Sequence, residues 1–194
     1  MKGKMSKKYK IIYADPPWSY KVWSKKTGSG RSAESHYKTM GKEDIQNLPI
    51  KSICEDDCVL FLWVTAPCFL EGIELIEKWG FTYKTLGFNW VKRNKKAHSL
   101  FWGMGYYTRA NTELCLLATK GKTLKRVSRS VHQVVEDKIM KHSQKPDSVR
   151  NRIVELFGDL PRIELFAREK TEGWDVWGNE VESDIELLTP PKER

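Results

Sequence analysis

Six consecutive apolar residues, Val59–Val64 (VLFLWV), constrain the fold more than any other stretch of this sequence. A strand with one wet face alternates apolar and polar residues. An unbroken run of this length reads as a strand covered on both faces, which a parallel sheet flanked by helices provides. The run passes into Thr65-Ala66-Pro67, a helix start with proline in the first turn. Phe69, Ile73, Ile76 and Trp79 then fall along one side, and Gly80 ends the helix. The same alternation recurs along the chain. Lys10–Ala14 (KIIYA), Thr82–Val91, Glu113–Ala118 (ELCLLA), Arg162–Phe166 (RIELF) and Asp175–Trp177 read as strands. Pro146 opens a further helix, with Val149, Ile153, Leu156 and Phe157 at helical spacing and Gly158 as its stop. The pattern predicts an α/β fold, a mostly parallel central sheet with helices on both faces and no internal repeat.

A chain of 194 residues supports one sizeable core, so a single domain over 1–194 is expected, with a basic lead at 1–9 and a loose tail at 185–194. The formal net charge is +9, which suits a polyanionic partner, because neutralised phosphates release counterions. No run approaches the ~20 apolar residues of a membrane helix. The start, Met1-Lys2-Gly3-Lys4, has no apolar stretch behind it, so a cytoplasmic protein is expected. Cys54, Cys58, Cys68 and Cys115 form no metal-ligand spacing with the four scattered histidines. Reduced thiols near the core, and no metal, are the expectation.

Asp15-Pro16-Pro17-Trp18 directly follows the first strand. As a turn it needs no further explanation, since Asp starts turns and Pro fixes φ. Its residue types also fit one demanding reaction. The 6-amino lone pair of adenine is delocalised into the ring, so the amine is a poor nucleophile. Two acceptors taking both amine hydrogens pull the nitrogen toward tetrahedral geometry and free the lone pair. The Asp15 carboxylate and the Pro16 carbonyl can be those acceptors, Pro17 stiffens the elbow, and Trp18 offers a face to the base.

Three stretches lack periodicity: Ser19–His36, Lys92–Arg109 and Thr123–Gln144. They are rich in Lys, Arg, Ser and Gly, and read as binding loops that could share one rim at the carboxyl ends of the strands. Candidate phosphate contacts are Lys21, Lys25, Lys26 and Arg31 in the first, Lys92, Arg93, Lys95, Lys96 and Arg109 in the second, and Lys122, Lys125, Arg126 and Arg129 around the third.

An ordered set of segments carries a resemblance over roughly Lys10 to Glu182: YADPPW (Tyr13–Trp18), HYKTMGKEDIQNLPI (His36–Ile50), LFLWVTAP (Leu60–Pro67), GFNWVK (Gly87–Lys92), TELCLLATKG (Thr112–Gly121), HSQKPD (His142–Asp147), IELFAR (Ile163–Arg168) and WDVWGNE (Trp174–Glu180). The chain resembles the MT-A70 (DPPW-type) family of adenine-N(6) methyltransferases. The resemblance implies a Rossmann-like Class I methyltransferase fold, S-adenosylmethionine as cofactor, and direct in-line transfer to a flipped or single-stranded adenine. It implies that Asp15 and Pro16 engage the amine, with Asp15 also beside the cofactor, and that Trp18 shapes the base pocket. It matches Lys145 to a lysine for the cofactor carboxylate, Arg168 to an arginine near the ribose, and Asn179 and Glu180 to the adenosine contacts. Lys145 lies just ahead of the Pro146 helix, whose N-terminus favours anions. Glu180 stands where the eukaryotic enzyme has glutamine, and Phe166-Ala167-Arg168 replaces the Gly-x-Gly of many methyltransferases.

DNA is the expected substrate, by analogy with small bacterial or phage members. Alternatives are the same reaction on RNA, a nucleic-acid-binding scaffold without catalysis, and a small-molecule methyltransferase, which the basic loops serve poorly. Family members often pair, which leaves a homodimer open.

Overall fold

A computed structural model describes residues 7–18, 40–140 and 144–187. Its centre is a seven-stranded sheet, β1 (Tyr9–Ala14), β2 (Cys54–Val64), β3 (Thr82–Arg93), β4 (Glu113–Lys120), β5 (Val134–Lys138), β6 (Arg162–Leu165) and β7 (Asp175–Trp177). The spatial order is β5-β3-β4-β2-β1-β6-β7. The pairs β1/β2, β1/β6, β6/β7 and β3/β5 are parallel, and β4 runs antiparallel to both β2 and β3. The sheet is therefore mixed and mostly parallel, as the sequence pattern predicted.

The unbroken apolar run in β2 does what such a run requires. Leu60, Leu62 and Val64 point to one face and Val59, Phe61 and Trp63 to the other, and all are buried. On the first face lie the short helix α1 (Lys42–Gln46) and α3 (Phe69–Lys78), with Ile45, Leu75 and Ile76 buried against the strands; α2 (Ile50–Ile53) joins the same cluster. On the second face α4 (Asp147–Phe157) buries Val149, Ile153 and Phe157. A 3-10 turn, Ala66–Cys68, precedes α3, so proline opens this helix as predicted; Gly80 at φ 82° and Gly158 at φ 76° end α3 and α4.

Three elements depart from the sequence reading. β5 lies inside the stretch Thr123–Gln144, which read as irregular. It is an edge strand, VVEDK, in which Val135 is the one buried residue and Glu136 and Lys138 face outward, so it carries little apolar signal. The segment before β2 forms α1 and α2, of five and four residues, too short for a periodicity to register. The tail expected at 185–194 is anchored at its start, since Ile185 and Leu187 pack on the first core face and the Asp184 carboxylate accepts the Val176 N–H at 2.9 Å. The four cysteines are buried free thiols, as expected, and among the described residues no group of acidic, His and Cys side chains forms a metal site. No helix among them is long and apolar enough to cross a membrane.

Candidate active site

The sheet order brings the chemistry-bearing residues to one end. β1, β2, β3, β6 and β7 all finish there, and the reversed strand β4 begins there. Asp15 thus follows β1, Lys92 and Arg93 end β3, and Glu113 opens β4. Ligand clefts of open α/β sheets form at this carboxyl end.

Four charges alternate in sign across that end. The Lys145 ammonium donates to both Asp15 carboxylate oxygens, at 2.9 and 2.8 Å, and lies 3.1 Å from a Glu113 oxygen. The other Glu113 oxygen meets the Lys92 ammonium at 2.8 Å. Lys145 is almost wholly buried and Glu113 nearly so, whereas Asp15 and Lys92, at the two ends of the row, keep 21% and 22% of their side chains exposed, which makes Asp15 the acid able to reach a ligand. Indoles floor the row: Lys145 Nζ sits 5.6 Å from the Trp63 ring centre and Lys92 Nζ 5.0 Å from that of Trp90. Burial pushes the Asp15 carboxyl above its ordinary range, with the Lys145 charge opposing and Glu113 adding to the rise. Burial also works on Glu113, but Lys145 and Lys92 together outweigh it and hold this carboxyl below its ordinary value. Lys145 is itself desolvated, yet the two facing acids raise its pKa and keep it charged.

The elbow is stiff. Trp18 N–H donates to the Pro16 carbonyl at 2.8 Å, occupying one of its two lone pairs. The Trp18 indole N–H donates to the Trp63 carbonyl at 2.8 Å, so Trp63 positions Trp18 through its backbone while its ring underlies Lys145. Trp18 is nearly buried and lines a cleft with Met40, Ile45, Cys68 and Leu75 on the α1/α3 side.

After β6 the chain turns at Phe166, a non-glycine residue at φ 63°, whose ring meets Trp177 edge-on at 5.4 Å. Ala167 N–H donates to the Trp177 carbonyl at 3.0 Å, and a Cβ added to Gly178 would run into the Ala167 carbonyl. The loops after β6 and β7 therefore touch backbone to backbone, and only glycine fits at 178. Arg168, Asn179 and Glu180 leave these loops side by side, with Arg168 Nε 3.7 Å from a Glu180 oxygen. Gly178→Ala should cost about 1–3 kcal/mol by forcing these loops apart, because backbone cannot yield as a side-chain tip would. Urea denaturation measures the loss.

Beneath the site, Arg150 of α4 grips both Glu164 oxygens at 2.9 Å and also holds Asp147, which opens the same helix. This brace ties the first turn of α4, which begins two residues after Lys145, to β6. Burial pushes Glu164 up to about 7, against the pull of Arg150. A carboxyl raised above its unfolded value stabilises the fold below the unfolded pKa, and loses that contribution as pH rises through the folded one. Relative to Glu164→Gln, the wild type should therefore lose about 3 kcal/mol of stability between the unfolded value and pH ~7, read from denaturation midpoints across that window.

The sequence-predicted residues fall into groups. Asp15, Pro16, Pro17, Trp18 and Lys145 converge; Arg168, Asn179 and Glu180 form the adjoining wall. Glu113 was missed; an acid opening an otherwise apolar strand was the available signal. Lys92, read as a phosphate contact, is instead half-buried and ion-paired to Glu113. Arg93 pairs with Glu136 and donates to the His98 carbonyl at 2.8 Å. Lys95, Lys96 and Arg109 are exposed on the β3–β4 loop above the site. Lys21, Lys25, Lys26 and Arg31 lie outside the described residues. The expectation that the irregular stretches share one rim is corrected for the start of the third. Lys122, Lys125, Arg126 and Arg129 follow the far end of β4, where Val127 N–H donates to the Leu156 carbonyl near the end of α4. The eight residues of β4 separate them from Glu113, because this strand is the reversed one.

Comparison with known proteins agrees with the geometry. The chain is 40% identical to the Type II methyltransferase M.MunI of Mycoplasma sp, over 94% of this chain and 82% of that protein. It is 28% identical to a Putative N(6)-adenosine-methyltransferase MT-A70-like of Medicago truncatula, over 93% of this chain and 28% of the relative. It is 28% identical to the N(6)-adenosine-methyltransferase catalytic subunit METTL3 of Homo sapiens, over 94% of this chain and 30% of the relative. The chain thus spans most of the Mycoplasma protein and under a third of these plant and human ones. The family model described as MT-A70 matches residues 9–180, which takes in every described member of the charged row and the wall beside it, and the chain belongs to the MT-A70 family.

Proposed function

We propose that this protein methylates the 6-amino group of adenine in DNA, using S-adenosylmethionine, with Asp15 at the centre of the reaction. Adenine methylation is the reaction of its family, and its 40% identical relative is named a Type II methyltransferase. The observation that carries the reading is a partly exposed carboxylate on a proline-stiffened elbow, aimed by a buried lysine at the carboxyl end of the sheet.

The donor set fits the cofactor. The exposed side of Asp15 is an anion suited to a sulfonium or an α-ammonium; Lys145, whose three protons face Asp15 and Glu113, would have to turn one of them to hold the α-carboxylate. Arg168, Asn179 and Glu180 offer polar groups for a ribose and an adenine at the adjoining wall. When bound, S-adenosylmethionine supplies an electrophilic methyl carbon. The protein's own part is to accept the two amine hydrogens, one on the exposed side of Asp15 and one on the remaining lone pair of the Pro16 carbonyl. As the lone pair is released, positive charge grows on nitrogen, and the carboxylate stabilises it. Asp15 then takes the proton that the product amine sheds. Lys145 fixes the direction of the carboxylate by its two bonds, and Trp18 walls the base side. Lys95, Lys96 and Arg109, exposed on the loop above, meet the phosphates.

The test is isotopic methyl transfer to DNA and RNA oligonucleotides of one sequence, single- and double-stranded, with nucleoside mass spectrometry. Transfer to adenine in DNA is expected. Transfer to RNA alone would replace the substrate, and transfer to neither would overturn the reading.

A further inference from the structure

The loop between β3 and β4 shows more than its cations. Residues 94–112 contain no acidic side chain and three cations, Lys95, Lys96 and Arg109. Between those cations stand Trp102, Met104, Tyr106 and Tyr107, which are 59, 73, 68 and 92% exposed. Large apolar side chains clustered outward at this density mark an interaction surface.

The loop is built rather than slack. Gly103 N–H donates to the Ala110 carbonyl at 2.7 Å, Phe101 N–H to the Lys92 carbonyl at 2.9 Å, and the two strands of the loop bridge at Gly103 and Ala110. Asn111 pins the base: its amide donates to the carbonyls of Lys92 and Phe101, and its oxygen accepts the Lys92 N–H at 3.0 Å. Tyr106 and Tyr107 stack edge to face at 4.8 Å, and Arg109 reaches back to the Met104 sulfur at 3.1 Å. A preformed hairpin presents rings at little entropic cost. It rises from Lys92 and returns at Glu113, the two paired residues at one end of the charged row. A strand whose target base sits beside Asp15 therefore passes within reach of it.

Rings interleaved with cations, free of acids, match unstacked bases on a phosphate chain; every base offers a π-face and every linkage a charge. A second copy of this chain is the poorer occupant, because pairing this surface with itself would bring two such cationic loops together.

We propose that the 101–110 hairpin is a base-stacking finger, in which Trp102 and Tyr107 grip the bases flanking the target adenine. The inference rests on the nucleic-acid reading above and extends it from phosphate contact to base contact. The test uses the full chain and a fluorescein-labelled DNA oligonucleotide, single-stranded around the adenine that the wild type methylates. Trp102→Ala with Tyr107→Ala should weaken binding by roughly tenfold or more, and Trp102→Phe with Tyr107→Phe should restore it to within about threefold. Cofactor affinity by calorimetry should stay unchanged in both. The emission difference between wild type and Trp102→Phe, which isolates Trp102, should be quenched on adding DNA. Equal DNA affinity in the alanine variant, or an unquenched difference spectrum, would overturn the proposal. So would ultracentrifugation showing a wild-type dimer that the alanine variant dissociates while DNA affinity per subunit holds. A wild type that methylates no nucleic acid would sink the functional reading instead, which keeps the two failures distinct.

Discussion

Asp15→Asn is expected to slow methyl transfer by roughly 10²- to 10⁴-fold with little loss of fold stability, since the loss falls on general-base and charge-stabilising roles. Asparagine keeps the side-chain shape and one carbonyl oxygen. It loses the negative charge that stabilises the developing ammonium, and it cannot take the departing proton. It also removes one of the carboxylates that Lys145 faces, while the Glu113 carboxylate stays beside it. Single-turnover rates separate this loss from binding. The same residue sets a pH dependence. Burial holds the Asp15 proton above the ordinary carboxylate range, so the active, ionised form is lost as pH falls through that raised value. The acid limb of the wild-type rate should therefore lie above the range of a free carboxylate, and the Asn variant's residual rate should not show it.

Lys145→Met is expected to be the most damaging substitution to the fold of the site. It removes the cation between two carboxylates, Asp15 and Glu113, in a place that excludes most water. Breaking a buried pair by deleting one partner costs about 3–5 kcal/mol, because the surviving charge is desolvated and unanswered. Both acids should shift upward in pKa, and Asp15 should sit protonated nearer neutrality. Urea denaturation at several pH values reads this directly: the variant should regain stability on acidification, as the orphaned acids take up protons. The double variant Lys145→Met with Asp15→Asn should lose less than the sum of the two singles, because the second change removes one orphan. Strict additivity would mean that the 2.8 and 2.9 Å contacts carry no coupling.

Much of this was legible in the sequence, for reasons that can be named. Val59–Val64 read as a doubly covered strand and is one, and the predicted strands and helices around it appear with ends shifted by a few residues. DPPW sits at the strand end where its residue types make chemical sense. Glu113 was hidden because a single acid before LCLLA looks like a solvent-facing strand start; its meaning comes from β4 running backward, which turns its N-terminus toward Asp15. The same reversal carried Lys125 and Arg126 to the far end of the sheet. Lys92 looked like a loop cation because the contact that claims it, Glu113, is distant in sequence. Strand direction, a tertiary property, accounts for all three.

The account stands on a carboxylate that draws adenine's exocyclic nitrogen toward an electrophilic methyl carbon. The most direct measurement is incubation of the purified chain with DNA and S-adenosylmethionine bearing a trideuterated methyl group, followed by digestion and mass spectrometry. Trideuterated N6-methyladenine, present with the wild type and reduced to near background with Asp15→Asn, is the predicted result. Label on another base or another atom, or equal yield from the two proteins, would contradict it.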